Sequence, residues 1–172
     1  YRSMTEAIET WSYGIVAFLD ILGFANFVAE DARSSKPVHL ERLRSCLAEV
    51  QQAETGLTLL SFSDSIILTG SLSKDAFLNV VKTVAQLQRT FIKNRVLIRG
   101  GIALGKHFAE TDIIYSEALV RAYLLERDHA RFPRVLIDSD LLDWFINNDV
   151  ASVEEKAVCS SQLLRDRDAR VF

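Results

Sequence analysis

Proline is scarce in this chain, with two residues in 172, Pro37 and Pro133. Neither interrupts a periodic stretch, so each marks a boundary between elements. Cysteine is as rare. Cys46 and Cys159 stand far apart with no third partner, which excludes a zinc-ribbon pattern and a disulfide-stapled scaffold. Cys46 lies among Leu43, Leu47 and Val50, as a core thiol does, and a reduced, cytoplasmic setting is the economical expectation. No apolar run approaches the roughly 20 residues of a membrane helix, and no signal peptide is expected ahead of the first strand. No membrane partner is therefore anticipated. Positive charge is not in excess: 20 Lys and Arg face 23 Asp and Glu, a net −3. A nucleic-acid partner needs clustered cations and is not expected. A small anionic ligand remains compatible, because a few cations and bound metals can hold a triphosphate. The three histidines, His39, His107 and His129, are scattered singly. Ser61, Ser63 and Ser65 thus lack a neighbouring base, and nucleophilic catalysis is not supported.

What is present is an ordinary globular balance, 49% hydrophobic and 25% charged, enough for one domain with a buried core. One domain over residues 4–172 is expected, with residues 1–3 read as an expression remnant before Met4 and the C-terminal end read as cut short. Residues 13–20 (YGIVAFLD) form a continuous apolar run ending in a carboxylate, which fits a strand buried on both faces. Gly23 breaks it, and Phe24, Phe27 and Val28 open a helix. Residues 38–53 carry Leu40, Leu43, Leu47 and Val50 at helical spacing. Residues 57–62 and 65–69 read as two strands around a tight turn holding Asp64. Ser73 is an N-cap for a helix to about Lys93, with Phe77, Val80, Val81, Val84, Leu87 and Phe91 on one face. A strand over 95–104 contains Gly100-Gly101. A helix over 117–127, a strand over 134–137 and a helix over 140–146 follow, then a weak signal from Ala151 to a strand-like Arg170-Val171-Phe172.

This order predicts an α/β (α+β) sandwich of the ferredoxin-like βαββαβ kind with a C-terminal α/β extension. Right-handed crossovers then bring Asp20, Asp64 and Arg99 to one edge of the sheet. A carboxylate ending a buried strand is poorly solvated unless something cationic meets it. Asp64 can instead be a turn residue capping its own backbone, and Asp20 an N-cap. The convergence of both favours metal ligation. Two carboxylates with few other ligands suit Mg²⁺ or Mn²⁺, which keep waters and borrow phosphate oxygens. The amides of Leu22, Gly23 and Phe24 open a helix, where phosphate is favoured. Arg99 is a candidate for neutralising triphosphate charge, against a plain sheet-edge salt bridge. Lys106 and Arg134 are lesser phosphate candidates, and Tyr115 could stack on a base.

The same residues carry a family resemblance. FLDILGF (18–24) resembles the first metal motif of class III adenylate and guanylate cyclases. SFSDSI (61–66) resembles their second, with Ser63 in place of the usual Gly. RGGIALG (99–105) is similar to their following strand, and SEALVRAYLLE (116–126) to their next helix. The resemblance spans roughly residues 13–138. It implies two Mg²⁺ or Mn²⁺ ions per site on Asp20, Asp64 and the carbonyl of Ile21, with catalysis at the interface of a head-to-tail homodimer. The purine-selecting Lys and Asp of that family would fall at Leu60 and Ile113, and its transition-state Asn and Arg at Val120 and Leu124. Both pairs are missing. Arg121, close to one turn from Leu124, is a substitute candidate, and Leu60 and Tyr115 are candidate base contacts. FLDILGF, FSDSI, RGGIALG, ALVRAYLLE and FPRVLID resemble more closely the bacterial pyrimidine cyclases of the Pycsar anti-phage systems, and LLRDRDARVF their C-terminal strand. That implies cyclic UMP or cyclic CMP made from UTP or CTP for a separate effector. A catalytically inactive nucleotide-binding module and a purine cyclase are the alternatives. A diguanylate cyclase is disfavoured, since the hairpin has no acidic Gly-Gly loop.

Overall fold

A computed structural model describes residues 11–51, 56–110, 113–148, 151–161, 163–165 and 171–172. The expected start at Met4, the helix end at Ala53 and the strand residue Arg170 lie outside them. The chain runs β1 (Ser12–Ile21), α1 (Phe24–Arg33), α2 (Val38–Gln51), β2 (Thr58–Phe62), β3 (Ser65–Ser71), α3 (Lys74–Lys93), β4 (Ile98–Glu110), β5 (Ile113–Ser116), α4 (Glu117–His129), β6 (Val135–Ile137), α5 (Ser139–Asn147) and α6 (Val153–Ser161). The mixed α+β class and the βαββαβ order are as the sequence predicts.

The sheet has the order β2-β3-β1-β4-β5, with β6 parallel to β4. The apolar run of β1 lies in the middle, antiparallel to both β3 and β4. Its alternate residues Ile15, Ala17, Leu19 and Ile21 face the main core. There α3 buries Phe77, Val80, Val84, Leu87 and Phe91, the stripe legible in the sequence. Ser73 caps that helix through its side chain, which accepts from the Ala76 amide at 3.1 Å. Cys46 and Cys159 are buried free thiols, and burial pushes both thiol pKa values up.

The other sheet face carries α4. Gly101 and Gly105 of β4 face Ala118 and Ala122 of α4 so closely that a Cβ on Gly105 would sit 2.8 Å from the Ala118 amide nitrogen. Both alanines are fully buried. Small residues at four-residue spacing on both elements thus let helix and strand backbones approach.

Three elements differ from the sequence reading. The fourth strand begins at Ile98, not Arg95, because Arg95 turns the chain with φ 59°. It also runs on past Leu104 to Glu110, since polar residues there pair with Ser12 and Tyr13 on one side and with β5 on the other. The short strand β5 and the charged helix α6 carry too little periodicity to stand out. At the chain end, the Ile137 amide donates to the Val171 carbonyl at 2.9 Å and Leu164 exchanges hydrogen bonds with Phe172. The terminal residues therefore do pair beside β6. Among the described residues, no helix is long and apolar enough to cross a membrane.

Candidate active site

Register alone puts the two acidic motifs together. Asp20 lies opposite Ser65 on β3 and opposite Arg99 on β4, and the turn joining β2 to β3 holds Asp64 next to Ser65. The Ile21 amide donates to the Asp64 carbonyl at 2.8 Å. In an extended strand a residue's N–H and C=O point to the same side, so the Ile21 carbonyl faces the Asp64 turn. Both carboxylates are partly exposed. Ser63 reaches the turn with φ 55°, a left-handed conformation that disfavours any side chain. That accounts for the Gly which the resembling family carries there. Ser63→Gly is expected to raise stability by about 0.5–1 kcal/mol, relief of left-handed strain being partly offset by chain entropy. Urea unfolding of the two proteins measures it.

On the helix side, Gly23 turns the chain into α1 with φ 81° and, lacking a side chain, leaves the helix start without a side-chain cap. The Leu22 amide donates to the Leu97 carbonyl at 2.9 Å. Of the three amides expected to meet phosphate, Leu22 is thus already engaged by the sheet. Gly23 and Phe24 stand at the helix start, where amides have no intrahelical acceptor.

Arg99 is not a free cation. Its Nε–H donates to Asp20 Oδ2 at 3.1 Å and lies 2.6 Å from Glu126 Oε1. Glu126, on α4, is 3% exposed. Burial pushes its carboxyl above the usual carboxylate range; Arg99 pulls it back, while Asp20, Asp128 and Asp64 push it further. Sequence reasoning missed this residue. The signal was there: Glu126 continues the Ala118–Ala122 stripe at four-residue spacing, where the helix meets the sheet.

The other expected residues lie elsewhere. Arg121 pairs with Asp138 at 2.9 Å and with Asp140, tying α4 to the start of α5. Its charge is spent within the protomer, and it sits alongside β6 rather than at the Asp20 edge. Tyr115 is exposed and tilts against Trp11 at 6.0 Å. It pairs with Phe108, nine residues along β4 from Arg99, roughly 30 Å away along the strand. Leu60 lies on the edge strand β2 opposite Ile67, at the other side of the sheet from β5. One protomer therefore does not bring Leu60 and Tyr115 to a single base. Lys106 lies over the Tyr13 ring at 4.6 Å. Arg134 is buried, donates to the His129 carbonyl and packs near the Phe132 and Phe172 rings.

The donor set fits a hard divalent cation. Among the described residues, no group of three or more His, Cys, Asp or Glu side chains could enclose a metal by itself. Two carboxylates and a carbonyl would leave coordination positions for water and phosphate oxygens, as Mg²⁺ and Mn²⁺ prefer.

Similar architectures occur among solved structures. The guanylyl cyclase domain of the RhoGC fusion protein from the aquatic fungus Blastocladiella emersonii matches with TM-score 0.61 and 14% identity, over 94% of this chain and 93% of that one. The guanylate cyclase domain of RhGC from Catenaria anguillulae, solved in complex with GTP, gives 0.57 and 15%, over 80% and 84%. The adenylyl cyclase CyaB from P. aeruginosa gives 0.54 and 16%, over 90% and 84%. The fold is that of class III nucleotide cyclase domains. At these identities the likeness extends to the fold alone. No protein-family model and no curated protein sequence matches the chain. On the cyclase fold, Asp20 and Asp64 occupy adjacent strand-end and hairpin positions of the central sheet.

Proposed function

We propose that this chain is a metal-dependent pyrimidine nucleotide cyclase, converting UTP or CTP to the 3′,5′-cyclic nucleotide and pyrophosphate. The observation that carries the reading is the convergence of Asp20, the Ile21 carbonyl and Asp64 across one strand junction, on a cyclase fold. Asp20, Ile21 and Asp64 would hold two Mg²⁺ or Mn²⁺ ions. When bound, such ions favour ionisation of the ribose 3′-hydroxyl and offset charge on the departing pyrophosphate. The 3′-oxygen attacks the α-phosphorus, the α–β bridging P–O bond breaks, and the hydroxyl proton passes to solvent. The amides of Gly23 and Phe24 receive phosphate oxygens at the start of α1, and Arg99 adds positive charge at the same edge.

Pyrimidine preference rests on the sequence resemblance and on two apolar positions. Leu60 and Ile113 stand where adenylate cyclases place base-reading Lys and Asp, and both are accessible, at 41% and 53%. They would leave a purine's polar edge unpaired, at roughly 1–3 kcal/mol per buried group. A head-to-tail homodimer suits this arrangement, because Leu60 or Tyr115 of one protomer can then face the metal edge of its partner. Exposed Val120, Tyr123 and Leu124 on α4 and Phe62 on β2 supply apolar surface for pairing. The role we infer is second-messenger synthesis for a separate effector in bacterial anti-phage defence. The test is competition among equal ATP, GTP, CTP and UTP with Mn²⁺, with mass detection of products. Cyclic UMP or cyclic CMP is expected to dominate. Dominant cyclic AMP or cyclic GMP would establish a purine cyclase instead, and no cyclic product would leave a nucleotide-binding module.

A further inference from the structure

Two carboxylates compete for one guanidinium hydrogen at the proposed metal edge. Arg99 Nε carries a single N–H, and it is directed at Asp20 Oδ2. Glu126 Oε1 lies closer to the same nitrogen, at 2.6 Å against 3.1 Å, yet outside hydrogen-bonding direction. Among the described residues this buried oxygen has no hydrogen-bond partner. A buried carboxylate oxygen left unpaired is costly, so its persistence beside a donor already in use calls for a reason.

The surroundings hold Glu126 in place. Gly101 of β4 lies under Ala122 and Leu125 of α4, close enough that a Cβ on Gly101 would meet the Ala122 carbonyl and stand 3.1 Å from Leu125 Cβ. Helix and strand cannot slide apart without losing that contact, so Glu126 stays beside Arg99. Asp20, by contrast, ends a strand at the sheet edge and is the more exposed of the two acids, with 19% of its side chain accessible against 4%.

We propose that Glu126 is the standby counter-ion of Arg99, accepting its Nε–H when Asp20 gives it up to coordinate a divalent cation. The inference rests on the metal reading of Asp20 and Asp64 above. In the ion-free protein Arg99 satisfies Asp20 and keeps two neighbouring carboxylates from repelling. A metal at Asp20 would otherwise confront the guanidinium directly, like charge against like. Turning the N–H from Asp20 to Glu126 needs little more than a change of direction, since Glu126 Oε1 is already within reach. Glu126 is thus a positioning residue: it touches neither substrate nor metal, and it sets how readily Asp20 is released.

Mn²⁺ binding to the intact protein, without nucleotide, tests this by the paramagnetic resonance signal of free Mn²⁺ up to millimolar concentrations. Glu126→Gln is expected to weaken Mn²⁺ binding about tenfold, because Arg99 then stays on Asp20 or faces the ion unneutralised. In an Arg99→Met background the same Glu126→Gln change is expected to alter affinity by less than about twofold, the scale of independent effects. A loss of equal size in both backgrounds would mean plain long-range attraction, and it overturns the exchange. So does a Glu126→Gln protein that binds Mn²⁺ like the wild type while Asp20→Asn does not bind. Asp20→Asn binding like the wild type instead overturns the metal reading itself. If Glu126→Gln fails to fold, Glu126→Asp serves in the same cycle, since the shorter side chain withdraws the carboxylate. A loss that vanishes without Arg99 supports the exchange, and equal effects with and without Arg99 overturn it.

Discussion

Asp20→Ala and Asp64→Ala are each expected to lower the proposed cyclase turnover by at least about a thousandfold, the several kcal/mol that bound metal would supply to such a transition state. Saturating Mn²⁺ should not restore it if, as proposed, the carboxylate itself is the ligand. The measurement is cyclic-nucleotide yield against time, beside a urea melt. Stability is expected to change little. Asp64→Ala keeps the main-chain carbonyl that accepts from Ile21, so the turn survives. Asp20→Ala leaves Arg99 with Glu126 at 2.6 Å, so the guanidinium is not stranded. Either variant retaining near wild-type rates would mean that the edge holding Asp20 and Asp64 is not where metal acts.

Gly101→Ala is expected to be strongly destabilising, because the added methyl has no room between β4 and α4. Its Cβ would collide with the Ala122 carbonyl, a backbone atom that no rotamer change can move, and would press on Leu125 Cβ at 3.1 Å. Lifting α4 from β4 is the available response. Overpacking of this kind costs about 3 kcal/mol at the upper end of the usual range, and urea unfolding would read it. The same displacement draws Glu126 away from Arg99, so Mn²⁺ affinity is expected to fall with stability. A Gly101→Ala protein as stable as the wild type would show that α4 does not sit against the strand at that point.

Much of this was legible without coordinates, for identifiable reasons. The core stripe of α3 could be read because a helix facing a sheet repeats its apolar residues every three or four positions, and Phe77, Val80, Val84, Leu87 and Phe91 do so. The central strand could be read because a run buried on both faces loses the alternation of a half-exposed strand. β5 escaped notice because four residues are too few to show a period, and the length of β4 because its last residues are held by pairing with both neighbours rather than by their own apolarity.

The site divides along the same line. Asp20 and Asp64 stand out locally, since each is a carboxylate punctuating apolar strand sequence, and topology brings them to one edge once the strand order is known. What Arg99, Arg121 and Tyr115 do depended on their neighbours in space. Arg99 is 27 residues before Glu126, yet a glycine ladder brings their side chains together. Arg121 finds Asp138 and Asp140 only because α5 starts where β6 ends, and β5 carries Tyr115 to the far end of the sheet. Linear sequence determined most of the elements, the core and the two acids, because those follow from periodicity and from the cost of burying charge. Which cation each acid meets was decided by tertiary packing, because a salt bridge depends on angstrom-scale distances between elements that no local pattern encodes.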